Sequence, residues 1–571
     1  MVFIRFFSII LVFLIISQIV FAGSTGKIAG IVTDKNTGEP LIGVNIVVEG
    51  TTFGASTDID GSFIILNIPP GLYTLVAQYI GFADVRLENV DVDIDLTSEA
   101  FIQMQEASLE LGETVTVVAE RELVTKDLTA STAKVDAQEI KALPITEVSE
   151  ALALQAGYLD GHVRGGRKGE VSYWIDGIPV TDSYDGEQVV EVNKDMVEEL
   201  QFVSGAFNAE YGQAMSGIVN ITTREPRERF GGSLTAYFGD FYSTHEFNRD
   251  QYYSDLEAGT RSTLIESDEI FMNVNNFNPT RIRNFDGSLY GTIVPNKLSY
   301  FVNARYIYFG GWQYGQRVYN PQNISFTSVD SLQNENWVQF RDPEGRGDGE
   351  YVPMNWNEKL YLQGKLTYYI SPLAKINYSF IRDNVDFEEY DRNYKLNPDG
   401  NLTRNRTGYT HILKLTHTLN NRTYYDLGLS YFNKKYRQAV YDDVFTSQLV
   451  HPTITDNVPS FSFKSGGTNN QYFRRNTQTY LAKLDLASQI NNRHLVKTGV
   501  EFRYHDFYFD DITIRPSNDI DIREDSPFIE PVIFPIGSIF HDEYTRNPIE
   551  FSVYIQDKME FEDLIVNIGV R

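Results

Sequence analysis

Apolar and polar residues alternate with a period of two along most of this chain. After residue 231 the alternation persists for about ten residues at a time. Leu298, Tyr300, Val302, Ala304, Tyr306 and Tyr308 interleave with Ser299, Phe301, Asn303, Arg305 and Ile307. Leu360, Leu362, Gly364, Leu366, Tyr368 and Ile370 interleave with Lys359, Tyr361, Gln363, Lys365, Thr367 and Tyr369. Tyr425–Tyr431 and Leu564–Val570 repeat the pattern. One apolar face and one polar or charged face is the signature of a membrane β-barrel, although a soluble sandwich alternates too. Connection lengths separate the two. Tight turns at Pro295-Asn296, Ser371-Pro372, Asn420-Asn421, Asn491-Asn492 and Glu562 alternate with long polar stretches at 243–283, 311–356, 385–407, 438–475 and 511–547. Short turns at one end and long loops at the other predict an outer-membrane type of barrel. One strand at 231–242 and two for each of five hairpins gives about 11 strands.

Upstream the elements are shorter. Met1–Arg5 carries one positive charge, Phe6–Val20 is almost continuously apolar, and Ala22 precedes Gly23, which predicts a secretory signal peptide over residues 1–22. Residues 26–105 read as a β-sandwich. Lys27–Thr33, Val44–Val48, Ser62–Leu66, Tyr73–Tyr79 and Ala100–Gln105 are strand patterns, with turn chemistry at Asp34–Gly38, Asp58–Gly61 and Pro69–Gly71. Asp58-Ile59-Asp60-Gly61 lacks the later ligands of a calcium loop and reads as a turn. At 112–120, Glu113, Thr114, Val115, Thr116, Val117 and Val118 form a β-prone run in a linker. It is either an edge strand of the sandwich or a template for a partner's strand. Residues 125–226 combine two short amphipathic helical patterns, around 137–142 and 146–155, with short strands joined by glycine turns. Asp176-Gly177 has the chemistry of a tight hairpin turn.

Composition sharpens this. The 571 residues contain 49 Lys+Arg against 77 Asp+Glu, a net charge of −28 that argues against nucleic-acid binding. There is no cysteine, hence no disulfide, thiolate metal site or cysteine nucleophile. A mean hydropathy of −0.28 excludes a bundle of membrane helices. Of the 35 tyrosines, 29 follow residue 231, as aromatic girdles at a lipid interface require. No H-E-x-x-H or G-x-S-x-G occurs, so neither a zinc peptidase nor a serine hydrolase is indicated, and no cofactor is expected.

Three segments resemble known modules. Gly30 to Phe63 reads G-x-V-x-D-x-x-T-G-E-P-L-x-G-V-x-I-x-V-x-G-T-x-x-G-x-x-T-D-x-D-G-x-F, which resembles the carboxypeptidase-regulatory-like domain, a seven-stranded transthyretin-like sandwich. The run at 113–118 resembles a TonB box. The pieces Arg164-Gly165-Gly166-Arg167, Ile175-Asp176-Gly177-Ile178-Pro179-Val180 and Glu210-Tyr211-Gly212 followed by Ser216-Gly217-Ile218-Val219-Asn220 resemble, in order and spacing, the plug domain of TonB-dependent receptors. The plug end reads F-N-A-E-Y-G-Q-A-M-S-G and departs from the A-N-G-V form of starch-utilisation-type importers, so a glycan is not the default substrate.

The resemblance implies a mainly β chain with an N-terminal seven-stranded β-sandwich, an α+β plug domain, and a partial antiparallel transmembrane β-barrel (231–571) of about 11 of 22 strands. On this reading the chain is a truncated form of a longer protein. The resemblance further implies that Arg164, Arg167 and Glu210 face polar partners in the barrel wall. TonB, with ExbB–ExbD, would capture residues 113–118 from a periplasm that also holds the sandwich. The barrel would contact outer-membrane lipid, and an unidentified extracellular ligand would bind loops and plug without covalent chemistry. A plugged barrel serving surface adhesion or secretion is the alternative, and it would not need residues 113–118.

Overall fold

The computed structural model describes residues 25–106, 115–118, 130–225, 230–241, 277–322, 326–329, 335–338, 347–446, 448–450, 463–464, 466–516, 531–561 and 564–571. The signal peptide, Glu113, Thr114 and much of the first and fourth long loops lie outside these residues.

The N-terminal sandwich consists of two sheets. One has the order β4-β1-β7 and the other β3-β2-β5-β6-β8. In chain order these strands are β1 Gly26–Asp34, β2 Asn45–Val48, β3 Gly54–Ser56, β4 Ser62–Ile68, β5 Gly71–Gln78, β6 Val85–Val92, β7 Thr97–Met104 and β8 Val115–Val118. Alternate residues point inward, so Ile28, Val32, Ile46, Val48, Phe63, Leu75 and Ile102 close one apolar core. Residues 26–105 hold the seven expected strands, β1 to β7, to which 115–118 adds an eighth, and the pairs β1–β7 and β6–β8 are parallel. The run at 115–118 is therefore not a strand with nothing to pair with. Its backbone groups are satisfied along the edge of β6, the edge-strand alternative raised from the sequence. Val117 and Val118 stay exposed.

The plug is a five-stranded mixed sheet of order β13-β12-β15-β14-β9. Its strands are β9 Thr132–Asp136, β12 Val171–Ile175, β13 Ile178–Pro179, β14 Val197–Val203 and β15 Gly217–Thr223. Two further two-residue strands, β10 Tyr158–Leu159 and β11 His162–Val163, form a separate pair. Asp136 ends β9 and caps the helix Ala137–Ala142, its Oδ1 accepting from the backbone N–H of Gln138 and Glu139 at 2.8 and 2.9 Å while Glu139 reaches back. A second helix spans Val148–Ala153.

The C-terminal part is one 12-stranded antiparallel sheet running from Gly231–Gly239 to Ile565–Val570. His541–Arg546 and Ile549–Glu560 both pair with His494–Thr513 in succession, so the segments occupy eleven positions. Strands such as Thr403–Asn420, Gln471–Gln489 and His494–Thr513 are 18–20 residues long, more than the ~10 needed to cross lipid at a tilt. Their burial is inverted relative to a soluble sheet. Leu234, Leu289, Val302, Leu366, Leu413, Val553 and Ile568 are exposed, while Asp286, Arg305, Lys365, Asp383, Lys414, Lys483 and Arg503 are buried. That inversion suits a sheet whose outer face meets hydrocarbon and whose inner face meets the plug. Tyr409, Tyr431, Tyr480 and Tyr504 make a row across four adjacent strands, with ring centroids 5.8, 4.8 and 6.2 Å apart, as an interfacial girdle does. Phe301, Ile381, Ile412, Phe432 and Leu481 are apolar residues of the inner face and join the plug core around Leu200, Val219 and Ile221.

Candidate functional site

The plug, the barrel wall and the sandwich meet at a chain of shared charges. The hairpin turn between β12 and β13 forms its centre. Asp176 and Gly177 both have positive φ, 51° and 83°, as a two-residue primed turn requires, which explains an Asp-Gly pair there. Asp176 Oδ1 accepts the Thr223 N–H at 2.9 Å and Oδ2 accepts the Thr223 hydroxyl at 2.6 Å, tying the turn to β15. Three barrel lysines close on it. Lys365 Nζ reaches Asp176 Oδ2 at 3.2 Å, Lys414 donates to the Asp176 carbonyl at 3.2 Å, and Lys483 donates to the Gly177 carbonyl at 3.4 Å. Each lysine stands six residues before the last residue of its strand, 371, 420 or 489, so the three form one tier of the inner wall. Lys483 also lies over the Trp174 ring at 4.8 Å.

Nearer the short turns the sandwich enters the same network. Its sequence Asp91-Val92-Asp93-Ile94-Asp95 puts three acids on alternate positions. Asp91 and Asp93 both pair with Lys134 on β9 of the plug. Asp95, with φ 60°, reaches Lys497 of the barrel at 2.5 Å, and the Lys558 Nζ donates to its carbonyl at 3.2 Å. Lys497 is shared, because Glu210 of the plug stands 3.1 Å from it. Tyr211 donates its hydroxyl to Asp95 at 3.3 Å and packs edge-on against Trp174, centroids 5.0 Å apart. One lysine thus bridges all three bodies. Further contacts seat the sandwich on the short-turn rim: Lys27 with Glu560 at 2.5 Å, Thr25 with Tyr424 at 3.2 Å, and the Thr52 hydroxyl with the Pro372 carbonyl at 2.9 Å. Between sandwich, plug and rim remains a cavity of about 1350 Å³ lined by Lys134, Glu198, Glu199, Lys365 and Lys375 among others.

At the opposite end, Asp185 of the plug pairs with Lys434 at 2.9 Å and with Arg475. Burial raises the Asp185 carboxyl, but the two cations outweigh it and hold the group below its ordinary value. Glu210 goes the other way. Burial and the charge of Asp95 push it up to about 7 against the pull of Lys497. Asp95, closer to the lysine, stays below its ordinary range although burial opposes this. Burial, with Asp93 adding to it and Lys134 opposing, raises Glu199 on β14 to about 8. A carboxyl whose assembled-state value is raised contributes stability that is complete below its free value and is lost as pH rises through the raised one. The junction is therefore expected to be tightest near pH 4.5 and to loosen progressively from there up to about pH 8, above which no further loss is expected from these two groups. Hydrogen exchange over 91–96 and 197–212, corrected for intrinsic rates, should show protection falling across that window. Unchanged protection from pH 5 to 9 would contradict it.

Of the residues singled out from the sequence, Asp176, Gly177, Glu210 and Tyr211 lie in this network, and Gly212 is beside it. A Cβ on Gly212 would stand 2.5 Å from the Arg571 guanidinium, and its carbonyl accepts from Ser172 at 3.4 Å. Gly217 opens β15 against Val163. The R-G-G-R stretch is placed differently from expectation. Arg164, at φ 48°, donates to the Ser131 hydroxyl at 2.9 Å, and the Arg167 backbone N–H donates to Glu170 at 3.0 Å. Gly165 has φ 80° and Gly166 packs against Ser216. Among the described contacts the Arg164 side chain meets Ser131 of the plug, Arg167 is exposed, and only Glu210 of the expected trio meets the wall. Asp91, Asp93, Asp95 and Lys497 were not singled out. The alternating acids were the available signal.

A buried sheet clasped by an inward-charged, outward-apolar barrel wall defines a plugged membrane barrel. The CarboxypepD_reg-like domain family matches residues 28–116 and the TonB-dependent Receptor Plug Domain family matches residues 124–219. The TonB-dependent transporter Oar of Myxococcus xanthus is 23% identical over 295 residues, covering 48% of this chain and 26% of Oar. The TonB-dependent receptor P39 of Formosa agariphila is 28% identical over 220 residues, 36% of this chain and 20% of P39. The chain spans about a quarter or less of the length of these relatives. The outer membrane transporter YddB of Escherichia coli superimposes with a TM-score of 0.49 at 11% identity, over 77% of this chain and 57% of YddB. Residues 28–116 thus carry a CarboxypepD_reg-like domain and residues 124–219 a TonB-dependent receptor plug domain, and the relatives matched are named TonB-dependent transporters and receptors.

Proposed function

We propose that the protein is a TonB-dependent outer-membrane receptor that takes a ligand from the long-loop side and admits it by partial displacement of the plug. The observation that carries this reading is the path from Val115–Val118 to the plug. This segment has one edge on β6, and the next described strand along the chain is β9, the edge strand of the plug sheet. An edge strand is paired on one side only, so removing β9 breaks the single ladder to β14, whereas removing a central strand would break two. TonB, driven by the proton gradient through ExbB–ExbD, would add its own strand to 113–118 and pull. Pulling at 118 loads β9, and with it the Lys134 contacts to Asp91 and Asp93. The sandwich and short turns face the periplasm in this reading, and the sandwich stands across the mouth through which the ligand leaves. Lipid covers the exposed leucine and valine band.

The test is binding of the purified TonB C-terminal domain to the protein. Val115→Pro combined with Val117→Pro removes two backbone donors from the segment, and affinity should fall at least about ten-fold if two strand hydrogen bonds are lost. Equal binding by the variant would mean that TonB does not recognise this segment.

A further inference from the structure

We propose a divalent transition-metal site of zinc type at the long-loop end, formed by Asp510, His541 and Glu543. Asp510 lies on the strand His494–Thr513, and the other two lie on its neighbour His541–Arg546. In the ladder Asp510 stands directly opposite Glu543, and Asp511 opposite Asp542. The Asp510–Glu543 rung thus sets acid against acid on one face, an arrangement that favours a cation beside it. His541 is two residues from Glu543 and points to the same face. That face is the reverse of the one on which Phe507 and Phe509 pack against Tyr184 of the plug.

The remote atoms of all three groups are already held. His541 Nδ1 is 2.7 Å from the Phe534 carbonyl and must donate there. Arg474 Nε donates to Asp510 Oδ2 at 2.6 Å. The Tyr508 hydroxyl is within reach of Asp510 Oδ2 and Glu543 Oε1, at 3.2 and 3.1 Å. This leaves His541 Nε2, Asp510 Oδ1 and Glu543 Oε2 facing one point. Nε2 is 3.1 Å from Oδ1 and 3.9 Å from Oε2. Ligands at ~2.1 Å from a tetrahedral ion stand roughly 3.4 Å apart, and the two spacings bracket that value. With Nδ1 committed as donor, a neutral His541 presents its Nε2 lone pair to a carboxylate, so either a second proton or a metal must lie between them. Orientation of an imidazole by a backbone carbonyl, and of carboxylates by Arg and Tyr, is how metal ligands are ordinarily fixed. The ion would fasten the segment 541–546 to its neighbour and leave a coordination position open to water or a ligand. Asp510 is 1% exposed and His541 9% at the side chain, so a bound ion would be well shielded.

The experiment is calorimetric titration of zinc chloride into the tag-free protein in detergent, with hydrogen exchange over 531–546. One zinc is expected per chain, together with increased protection of that segment. His541→Ala and the near-isosteric Glu543→Gln should each weaken this binding at least about ten-fold, and Tyr508→Phe by a smaller factor within the ~10–100-fold typical of ligand-orienting groups. Three outcomes would overturn the proposal: no zinc uptake at millimolar concentration, equal affinity in wild type and both ligand variants, or zinc binding without altered protection. The first would mark a direct His541–Asp510 contact alone.

Discussion

Replacing Lys497 by methionine should destabilise the junction by about 3–5 kcal/mol, the usual consequence of leaving a buried charge without its partner. Lys497 is 5% exposed and is shared by Asp95, at 2.5 Å, and Glu210, at 3.1 Å. Without it two carboxyls face each other in a buried setting, and the group able to escape is the sandwich. Hydrogen exchange over 91–96 and 205–213 should rise together, because the same lysine serves both stretches. The effect must also be non-additive. Glu210→Gln in the Lys497→Met background removes one of the stranded charges, so the double variant should lose less than the sum of the singles. Strict additivity would show that the two carboxyls do not share the cation.

Asp176→Ala is expected to loosen the centre of the clasp by a similar amount. Lys365 is 3% exposed and would lose its carboxylate, while the Thr223 N–H and hydroxyl would lose their acceptors. An uncompensated buried ammonium costs about 3–5 kcal/mol. Asp176→Asn keeps acceptors for Thr223 but not the charge, and should fall between wild type and alanine. Trp174, two residues away and almost fully buried, reports the event. Its fluorescence in a urea titration should shift at lower denaturant for alanine than for asparagine. Coincident transitions for wild type and Asp176→Ala would show that the lysine tier does not hold the turn.

Much of this was legible because the period of two records which side of each strand meets which medium. The barrel, its short turns at 295–297, 421–422 and 490–493, and about eleven strand positions follow from alternation and turn chemistry. The Asp176-Gly177 turn was readable because few other pairs tolerate two positive φ values. What alternation cannot convey is pairing between distant elements. Parallel pairing of β8 on β6, between residues 30 positions apart, leaves no local mark, so the sequence left the segment open between an edge strand and a template for a partner. Lys497 reads locally as one of many inward lysines, since its role is defined by Asp95, 402 residues away, and Glu210, 287 residues away. Arg164 shows the converse: the family resemblance implied a partner in the wall, whereas its side chain donates to Ser131 of the plug. Asp510, His541 and Glu543 escaped motif reading because they come from two strands joined by a long loop.

Force on residues 115–118 is expected to reach the plug through its edge strand while the barrel stays intact. The absence of cysteine from the sequence makes a direct measurement simple. Val118→Cys supplies a unique handle for single-molecule pulling on the protein held in a bilayer. A low-force release of the sandwich and β9 should come first, followed by extension of the plug, with the first force reduced in the Lys497→Met background. Rupture that begins in the barrel strands, or a first force indifferent to Lys497, would contradict it.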